Sequence, residues 1–429
     1  MTIAVLGASG LIGSEVAAWL AREGRRVISV ARAFDAPPPP GTEAVEAAFV
    51  DATPAALADL LAAHEPSLVL NCVGVLQDGA SGSTHDVHIA FVERLIAACR
   101  AQKRTPTLVH LSVPGDRQSD ETAFAITKRR GEDLVRGSGL AHAILRPGFV
   151  VASGAYGGSA LIRALAASPA TLPRDDLERP FAAVAVTDIA KTVAWAADND
   201  IDGETFELAH PGPATLGDVV EAHRSWLGGP RPFVAVPSFL TRLGSFAADM
   251  AGRLGWQAPV RSTAVAELRR GIECDPERWI ARTGIRPTTI SEALNERPAT
   301  VADRWFAALY PLKALALATL AVFWTVSGLI ALASFIEARA ILVQAGFAPM
   351  IATAVTWISS LADIAIGMLI AWRRTARVGL WLGLAVSAFY LTGAAVLTPA
   401  MWLEPLGALV KTFPAMVLTL VCLATLRAR

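Results

Sequence analysis

The chain has 429 residues, enough for two or three domains, and 53% of them are hydrophobic although 18% are charged. The formal net charge is zero and the basic residues form no stripe with interleaved aromatic residues, which argues against a nucleic-acid partner. Nearly all charged residues precede Trp305, whereas the residues from Tyr310 onward are largely apolar. This uneven distribution predicts a polar N-terminal part followed by a part that lies in a membrane.

Short apolar runs alternate with helical patterns in roughly the first 149 residues. The apolar runs are Ile3–Leu6, Val27–Val30, Ala48–Val50, Leu68–Asn71, Leu108–Leu111 and Ala143–Leu145. The helical patterns are Ile12–Arg22, Pro54–Ala63, Val87–Ala101 and Ala123–Val135. Continuous apolar strands that alternate with helices are typical of a parallel sheet covered on both faces. We therefore predict an α/β fold with a doubly wound, Rossmann-type sheet.

The next 150 residues have a mixed pattern, which predicts a small substrate-type lobe. It contains one more strand, Phe206–Leu208, and an amphipathic helix. The apolar residues of this helix recur at helical spacing and are Phe239, Leu240, Leu243, Phe246, Met250 and Leu254. We expect this stripe to pack against the Rossmann core. The alternative is an interfacial helix that rests on the membrane.

Four apolar segments follow, each about as long as the roughly 20 residues that cross a bilayer. They are Pro311–Ser334, Pro349–Trp372, Val378–Leu397 and Leu406–Leu426. Short connections between them predict an all-α, antiparallel four-helix transmembrane bundle. The small residues that would allow close helix packing are Gly367, Gly379, Gly383 and Gly393.

One acidic residue, Asp363, falls near the middle of the second predicted span. A charge is unfavourable at that depth, so we expect Asp363 to face the interior of the bundle with Ser327, Ser359 or Ser360. Two interpretations stay open: a site for proton transfer or quinone contact, and a protonated structural aspartate.

The flanking basic residues predict the orientation of the spans, because Lys and Arg favour the cytoplasmic side. On one side lie Arg304, Arg373, Arg374, Arg377, Arg427 and Arg429. On the other side lie Glu337 with Arg339, and Glu404 with Lys411. We therefore expect a multi-pass inner-membrane protein whose termini and N-terminal domain are cytoplasmic.

A glycine-rich turn comes directly after the first predicted strand. Its residues are Gly7, Ala8, Ser9, Gly10, Leu11, Ile12 and Gly13. Three glycines spaced three apart, between a strand and a helix, are the fingerprint of a dinucleotide-binding turn. The helix N-terminus attracts the pyrophosphate, and the glycines let the backbone approach it.

Polar residues that follow the second and third predicted strands bear on how the dinucleotide binds. Arg32 follows the second strand, where an arginine suits the 2′-phosphate of NADP, whereas Asp35 leaves NAD open. Asp51 follows the third predicted strand and could accept a hydrogen bond from adenine or cap the helix that begins at Pro54. We predict NADP as the cofactor, with NAD as the alternative.

These motifs resemble the extended or atypical, epimerase-like branch of the short-chain dehydrogenase/reductase family over about the first 300 residues. Further matching segments are Asn71 to Gly74, Leu111-Ser112, Thr127-Lys128 with Gly131-Glu132, Leu145 to Gly148, and Val186 to Ala190. The resemblance implies an NAD(P)-dependent oxidoreductase. It adds as cofactor-binding residues Cys72, Val73, Gly74, His88, Lys128, Arg146 and Pro147. The four-span tail resembles a DoxX-like membrane domain.

The family's catalytic Tyr-x-x-x-Lys pair is incomplete here, because four residues before Lys128 stands Phe124. The family tyrosine transfers the proton, which phenylalanine cannot do. The resemblance still implies that Lys128 binds the ribose and that Ser112 polarises a carbonyl group. Tyr156 could replace the missing acid from a loop; the alternative is an aromatic residue that packs on the domain.

His88 is a second departure, because many members of the family carry asparagine at this position. An imidazole could hold a water or donate a proton, whereas a structural histidine would bond a backbone carbonyl. A histidine here and a missing tyrosine also resemble the Rossmann accessory subunit of respiratory complex I. That likeness implies an NADP with a structural role.

Two functions follow from the sequence. The first is a membrane-anchored oxidoreductase for a lipophilic or quinone-related substrate at the cytoplasmic membrane face. The second is a catalytically silent NADP-binding module that stabilises a membrane complex. The predicted partners are a lipophilic small molecule, the lipid bilayer and, still open, a second copy or a membrane complex. The predicted domains are residues 1–235 for NAD(P), 236–304 for a helical substrate lobe and linker, and 305–429 for the membrane.

Overall fold

The computed structural model describes residues 1–79, 82–256, 261–397, 399, 402, 407 and 409–426. The strands are β1 (Thr2–Leu6), β2 (Arg26–Ala31), β3 (Glu43–Glu46), β4 (Leu68–Asn71), β5 (Thr107–Leu111), β6 (His142–Pro147), β7 (Phe149–Val151), β8 (Ala170–Thr171), β9 (Ala183–Ala185), β10 (Glu204–Leu208) and β11 (Val234–Ala235).

Of the four helices predicted in the first 149 residues, three begin and end close to the predicted bounds, whereas at the start of the third Asp86–Ala90 form a separate π-helical turn before α3. In the N-terminal part the helices are α1 (Leu11–Arg22), α2 (Pro54–His64), α3 (Phe91–Arg100), α4 (Ala123–Arg136), α5 (Gly158–Ala166), α6 (Arg174–Leu177), α7 (Val186–Asp198) and α8 (Leu216–Leu227). After them come α9 (Ser238–Arg253), α10 (Ser262–Arg270), α11 (Glu277–Thr283), α12 (Ile290–Asn295), α13 (Val301–Ala333), α14 (Phe335–Gln344), α15 (Pro349–Ala371), α16 (Ala376–Leu397) and α17 (Thr412–Thr425).

Seven strands form the predicted parallel sheet, in the order β10-β6-β5-β4-β1-β2-β3. Buried side chains of α1 and α7 pack on one face of this sheet, and those of α2 and α3 pack on the other. The sheet is therefore doubly wound. The strand order reverses beside β1, where β4 and β2 are its two neighbours, and in such folds ligands bind at the carboxyl ends of these strands.

The third predicted strand, Ala48–Val50, is wrong. The strand at this edge is Glu43–Glu46, which pairs with β2 and is largely exposed. An edge strand with few buried side chains lacks the apolar run on which the prediction rested. Phe49 and Val50 are buried from a turn that follows β3, and this explains their apolar character.

A smaller lobe packs around the parallel pair β7 and β9, with α5, α8 and α12. Asp188, in the segment that resembles the family, is fully buried in α7 and accepts hydrogen bonds from the backbone N–H and hydroxyl of Thr288 at 2.6 and 2.9 Å. This aspartate therefore fastens a later segment of the chain onto the Rossmann core.

Helix α9 does not pack its apolar stripe against the Rossmann core as predicted. Phe239, Leu243 and Phe246 are 65%, 61% and 65% exposed, and within this helix Ala248 is the one buried residue. The periodicity gives the helix and its apolar face correctly. It carries no information about what that face meets.

The described residues form two compact units. The first comprises Met1–Ala248 and Pro259–Ala307, and the second comprises Asp249–Ala258 and Ala308–Arg429. Helices α9 and α13 each continue from one unit into the other.

Three helices in the described part of the chain are long and apolar enough to cross a membrane: α13, α15 and α16. They coincide with the first three predicted apolar segments. The fourth differs, because α17 has 14 residues and begins at Thr412 rather than Leu406, which lies outside the described residues. Glu404, Arg427 and Arg429, used to predict the orientation, also lie outside them.

Small residues bring the apolar helices close together, as predicted for three of the four glycines. A Cβ atom on Gly379 or Gly383 would lie 2.8 Å from the backbone N of Ile370 or 3.0 Å from Nε1 of Trp324. Gly367 is equally confined. Among the described residues nothing lies within 4 Å of a Cβ atom on Gly393, so its predicted packing is not found there, whereas the unpredicted Gly328 packs against α15.

Asp363 faces the interior of this unit and accepts two hydroxyl hydrogen bonds. Ser327 donates to one carboxylate oxygen at 3.3 Å, and Tyr390 donates to the other at 3.0 Å. Ser327 is one of the predicted partners, whereas Ser359 and Ser360 donate to the carbonyl of Thr356. The three polar side chains come from α13, α15 and α16 and satisfy one another in an apolar surrounding.

Candidate functional site

The turn between β1 and α1 is built around glycine. Gly7 has φ +85°, a left-handed conformation that L side chains rarely adopt. The backbone N–H groups of Gly7 and Ala8 both donate to the carbonyl of Val30, at 3.0 and 3.1 Å, and so anchor the turn to the end of β2. Gly10 is the N-cap of α1, and no described side chain caps this helix end. Its N–H groups remain available to an anion.

Close packing beneath the turn excludes side chains at two further points. A Cβ atom on Gly13 would overlap the carbonyl oxygen of Gly7 and lie 2.9 Å from the carbonyl carbon. A Cβ atom on Gly7 would lie 3.3 Å from the backbone of Cys72 and Val73, just after β4. The turn thus sits against the end of β4, at the point where the strand order reverses.

A loop of the smaller lobe lies beside the start of α1. The backbone N–H of Gly154 donates to Oε1 of Glu15 at 2.9 Å, and the hydroxyl of Ser153 donates to the same oxygen. The guanidinium group of Arg163 donates hydrogen bonds to the carbonyls of residues 152, 153 and 154 at 2.9–3.1 Å and so holds the loop in place. Tyr156 belongs to this loop, and its side chain is 50% exposed.

Lys128 lies buried beneath the ends of two strands. Its Nζ donates to the carbonyls of Leu111 and Val73, at 3.0 and 3.2 Å, and also lies near Gly74. Burial lowers the pKa of this ammonium group from 10.5 to about 8. The lysine thus reaches the same strand ends that carry the predicted cofactor residues Cys72, Val73 and Gly74.

This lowered pKa predicts a specific pH dependence of stability. A lysine whose folded pKa lies below its unfolded value opposes folding when charged, so stability rises as the pH increases from 8 to 10.5. Lys128→Met should remove a slope of up to about 1.4 kcal/mol per pH unit over this range. Thermal unfolding of the detergent-solubilised apoprotein at several pH values measures it. The exposed Lys103→Met is the control, and an unchanged slope in Lys128→Met would refute the prediction.

The position of the missing tyrosine is part of a small aromatic contact. Phe124 meets the ring of His88 edge to face, with centroids 5.6 Å apart. His88 Nε2 accepts from the backbone N–H of Val75 at 3.1 Å, and Nδ1 lies 2.8 Å from the hydroxyl of Thr127. Burial and the charge of Lys128 lower the pKa of His88 to about 2. His88 is therefore a neutral histidine with both ring nitrogens bonded, and its backbone partner is an N–H rather than the predicted carbonyl.

Ser112 stands just after β5 and is 7% exposed. Its hydroxyl is buried and lies beside the carboxylate of Glu132. The Ser112 hydroxyl is therefore directed at α4, which carries Glu132, and not at solvent.

Arg146 lies at the end of β6 and is held by two carboxylates. It donates to Glu132 at 2.7 and 2.9 Å and to Glu207 at 3.3 Å. The adjacent Pro147 ends β6 and pairs with Leu208 of β10. The guanidinium group is thus directed at Glu132, whose side chain is fully buried.

Arg32, predicted to favour NADP, and Asp51, predicted to bond adenine or cap α2, are both exposed, after β2 and after β3. Arg32 directly follows β2, and its side chain is exposed. Asp51 does not cap α2, because the side chain of Thr53 accepts from the backbone N–H of Ala56 there. Both remain on the side of the sheet where the glycine turn lies.

Sequence reasoning missed Glu15, Glu132 and Thr127 as structural supports of this site. Glu15 is a polar residue of α1 with no motif signal, because its partners are 138 and 139 residues away in the chain. Glu132 belongs to a segment that resembles the family. A charged residue among the apolar positions of this helix was the signal that could have indicated a buried ion pair.

Comparison with known proteins separates the chain into two matched regions. Residues 3–209 match the NAD dependent epimerase/dehydratase family, and residues 321–420 match the DoxX-like family. The dTDP-6-deoxy-L-talose 4-dehydrogenase (NAD(P)(+)) of Kitasatospora kifunensis is 34% identical over 109 residues, which are 25% of this chain. The match spans about a third, 34%, of the length of that curated relative.

Solved structures share the fold at low sequence identity. A UDP-glucose 4-epimerase from Thermotoga maritima, solved with UDP-glucose, is 17% identical and has a TM-score of 0.52 over 73% of this chain and 100% of its own. The human epimerase family protein SDR39U1, solved with NADPH, is 19% identical with a TM-score of 0.52 over 69% of this chain and 98% of its own. The chain therefore combines an N-terminal region that matches the NAD dependent epimerase/dehydratase family with a C-terminal region that matches the DoxX-like family.

Proposed function

We propose that this protein is a membrane-anchored NAD(P)-dependent oxidoreductase that acts on a lipophilic or quinone-related substrate. The observation that carries the proposal is the β1–α1 turn. Gly7, Gly10 and Gly13 have no side chains in this turn, so a ligand can approach its backbone. Such a turn at the start of a helix suits a pyrophosphate. The apolar helices supply the anchor, which would concentrate the enzyme beside membrane-borne substrates.

NADP is the cofactor that we favour over NAD. Arg32 follows β2, at the point where a 2′-phosphate is recognised in this fold, and it is exposed to a ligand. The human relative was solved with NADPH, whereas other solved relatives contain NAD. Asp51 and the residues Cys72 to Gly74 would line the adenine and ribose, and Lys128, which donates to the carbonyls of Val73 and Leu111, would bind the nicotinamide ribose.

Cofactor titration of the purified full-length protein tests this proposal. We expect exchangeable NADPH binding in the micromolar range that is tighter than NADH binding, and Arg32→Asp should reverse the preference. Binding of neither cofactor would refute the proposal. Tightly bound NADP that neither exchanges nor changes its redox state would instead favour the silent module.

The nicotinamide would supply a hydride to the carbonyl carbon of the substrate. The carbonyl oxygen then needs a proton from the protein, and we propose Tyr156 as its donor. Phe124 carries no hydroxyl, His88 is neutral with both nitrogens bonded, and the Ser112 hydroxyl is buried beside Glu132. Tyr156 is half exposed in a loop that is fastened to α1 through Glu15.

Restoring the family's tyrosine gives a direct test of catalysis. Phe124→Tyr places a phenol four residues before Lys128, and in a Tyr156→Phe background we expect it to raise NADPH oxidation with a lipophilic aldehyde on the order of a hundredfold. The exposed Phe233→Tyr in the same background is the control, which should leave the rate unchanged. In the presence of Tyr156, Phe124→Tyr should give no comparable gain; a hundredfold gain there would mean that Tyr156 does not supply the proton.

The second candidate is a catalytically silent NADP-binding module that stabilises a membrane complex. The contact between Phe124 and His88 favours it, because an apolar ring fills the place of the usual acid. No turnover by wild type across a broad panel of carbonyl substrates would support this alternative. A measurable wild-type rate that falls in Tyr156→Phe would exclude it.

We also propose that the N-terminal domain faces the cytoplasm. Arg373, Arg374 and Arg377 lie between α15 and α16, and basic residues favour the cytoplasmic side of a span. Reporter fusions at the N-terminus that fluoresce on one side of the inner membrane test this orientation.

A further inference from the structure

Helix α9 and the segment before it expose several large apolar side chains. Phe239, Leu243 and Phe246 are each more than 60% exposed, and Leu240 and Met250 are 45% and 42% exposed. Phe233, just before β11, adds a ring that is 81% exposed. Large apolar side chains exposed together at helical spacing are typical of an interaction site.

The other side of α9 is polar. Arg242 and Ser245 line a cavity of about 550 Å³ together with Glu121 and Thr122, the residues directly before α4. Arg253 is exposed at the end of the helix. The helix therefore presents a polar face to the domain and an apolar face outward, with arginines at the border between the two faces.

The C-terminal end of α9 is fixed to the end of an apolar span. Within the second unit, the carbonyl of Leu254 accepts from the backbone N–H of Arg373 at 3.0 Å. Trp256 Nε1 donates to the carbonyl of Ala371, the last residue of α15, at 2.7 Å. The guanidinium group of Arg373 lies over the Trp256 ring at 5.3 Å.

These contacts hold the C-terminal end of α9 at the same depth in the bilayer as the end of α15. The end of a membrane-spanning helix lies at the boundary between hydrocarbon and water, and tryptophan and arginine are the residues that occupy this boundary. Leu254 and Trp256 are therefore at the level of the lipid headgroups. The apolar face of α9 continues from this point.

We propose that α9 lies in the interfacial plane of the bilayer, with Phe239, Leu243, Phe246 and Met250 inserted toward the acyl chains. A lipid surface fits better than a protein partner because the helix is tethered at the interface and its apolar face is bordered by arginines, which suit anionic headgroups. This inference is independent of the proposed oxidoreductase activity.

Spin labels on the full-length protein test the proposal. Single cysteines replace Leu243 or Phe246 in a background without the four native cysteines, and the protein is placed in nanodiscs of phosphatidylethanolamine and phosphatidylglycerol. The control is Asp59→Cys, on the exposed side of α2. We expect the labels at 243 and 246 to collide several-fold more with oxygen, and several-fold less with a water-soluble nickel complex, than the control label.

Every other outcome overturns the proposal. Labels at 243 and 246 that meet the nickel complex as freely as the label at 59 would place α9 in water. Labels shielded from both reagents would mean that a protein surface, from a second copy or another partner, covers the helix. Because both positions are exposed, the cysteine variants should fold, and unchanged circular dichroism and thermal unfolding would verify it.

Discussion

Gly13→Val is expected to abolish dinucleotide binding. A Cβ atom at this position would overlap the carbonyl oxygen of Gly7. Both atoms are bonded directly to the main chain, so no side-chain rotation can relieve the overlap and α1 must move away from β1. The helix N-terminus would then leave the position where it meets the pyrophosphate. We expect at least about a tenfold loss of NADPH affinity even for Gly13→Ala, equivalent to about 1.4 kcal/mol, and no measurable binding for valine.

Gly244→Ala is the matched control, because no atom lies within 4 Å of a Cβ atom at this helical position. Alanine there should leave NADPH binding unchanged and favour the helix slightly. Titration of each variant with NADPH, next to its thermal unfolding curve, separates loss of the site from loss of the fold. Normal NADPH affinity in Gly13→Val would disprove the role that we assign to the turn.

Glu132→Ala is expected to cause the largest loss of stability in the N-terminal domain. Glu132 is fully buried and accepts from Arg129, Arg136 and Arg146 at 2.7–3.2 Å. Removing it would leave the guanidinium group of Arg129, which is 3% exposed, without this carboxylate. Breaking a buried ion pair from one side lowers the free energy of unfolding by about 3–5 kcal/mol.

The neighbouring Asp133 offers a close control. It also pairs with arginines, Arg117 and Arg136, but its side chain is 48% exposed, so Asp133→Ala should lower the free energy of unfolding by less than about 1 kcal/mol. Denaturant unfolding of both variants compares a buried cluster with a surface pair on one helix. Equal losses would contradict the structural assignment.

The same cluster predicts acid sensitivity. Burial alone would raise the pKa of Glu132, but the hydrogen bonds and charge of Arg146, with the charge of Arg129, lower it from 4.5 to about 2. A carboxylate with a lowered folded pKa stabilises the protein above its unfolded pKa, and this stability is lost as the pH falls from 4.5 toward 2. Glu132→Gln should weaken that part of the acid dependence.

The sequence by itself determined the features that arise from local chemistry. Gly7, Gly10 and Gly13 stand between a strand and a helix, and a turn with this spacing has few conformations, so its geometry could be predicted. Apolar length predicted α13, α15 and α16 in the same way, since the thickness of a bilayer sets the length of a span. The family resemblance located Lys128 and the missing tyrosine.

The tertiary structure alone decided which distant residues meet. The edge strand β3 owes its place to pairing with β2 rather than to an apolar run, and His88 found a backbone N–H in place of a carbonyl. Tyr390 reaches Asp363 from another helix, and Glu15 holds a loop that lies more than 130 residues away. The outward face of α9 belongs to this group too. Periodicity gives a helix its apolar side, but the surface against which that side packs depends on contacts between residues far apart in the chain.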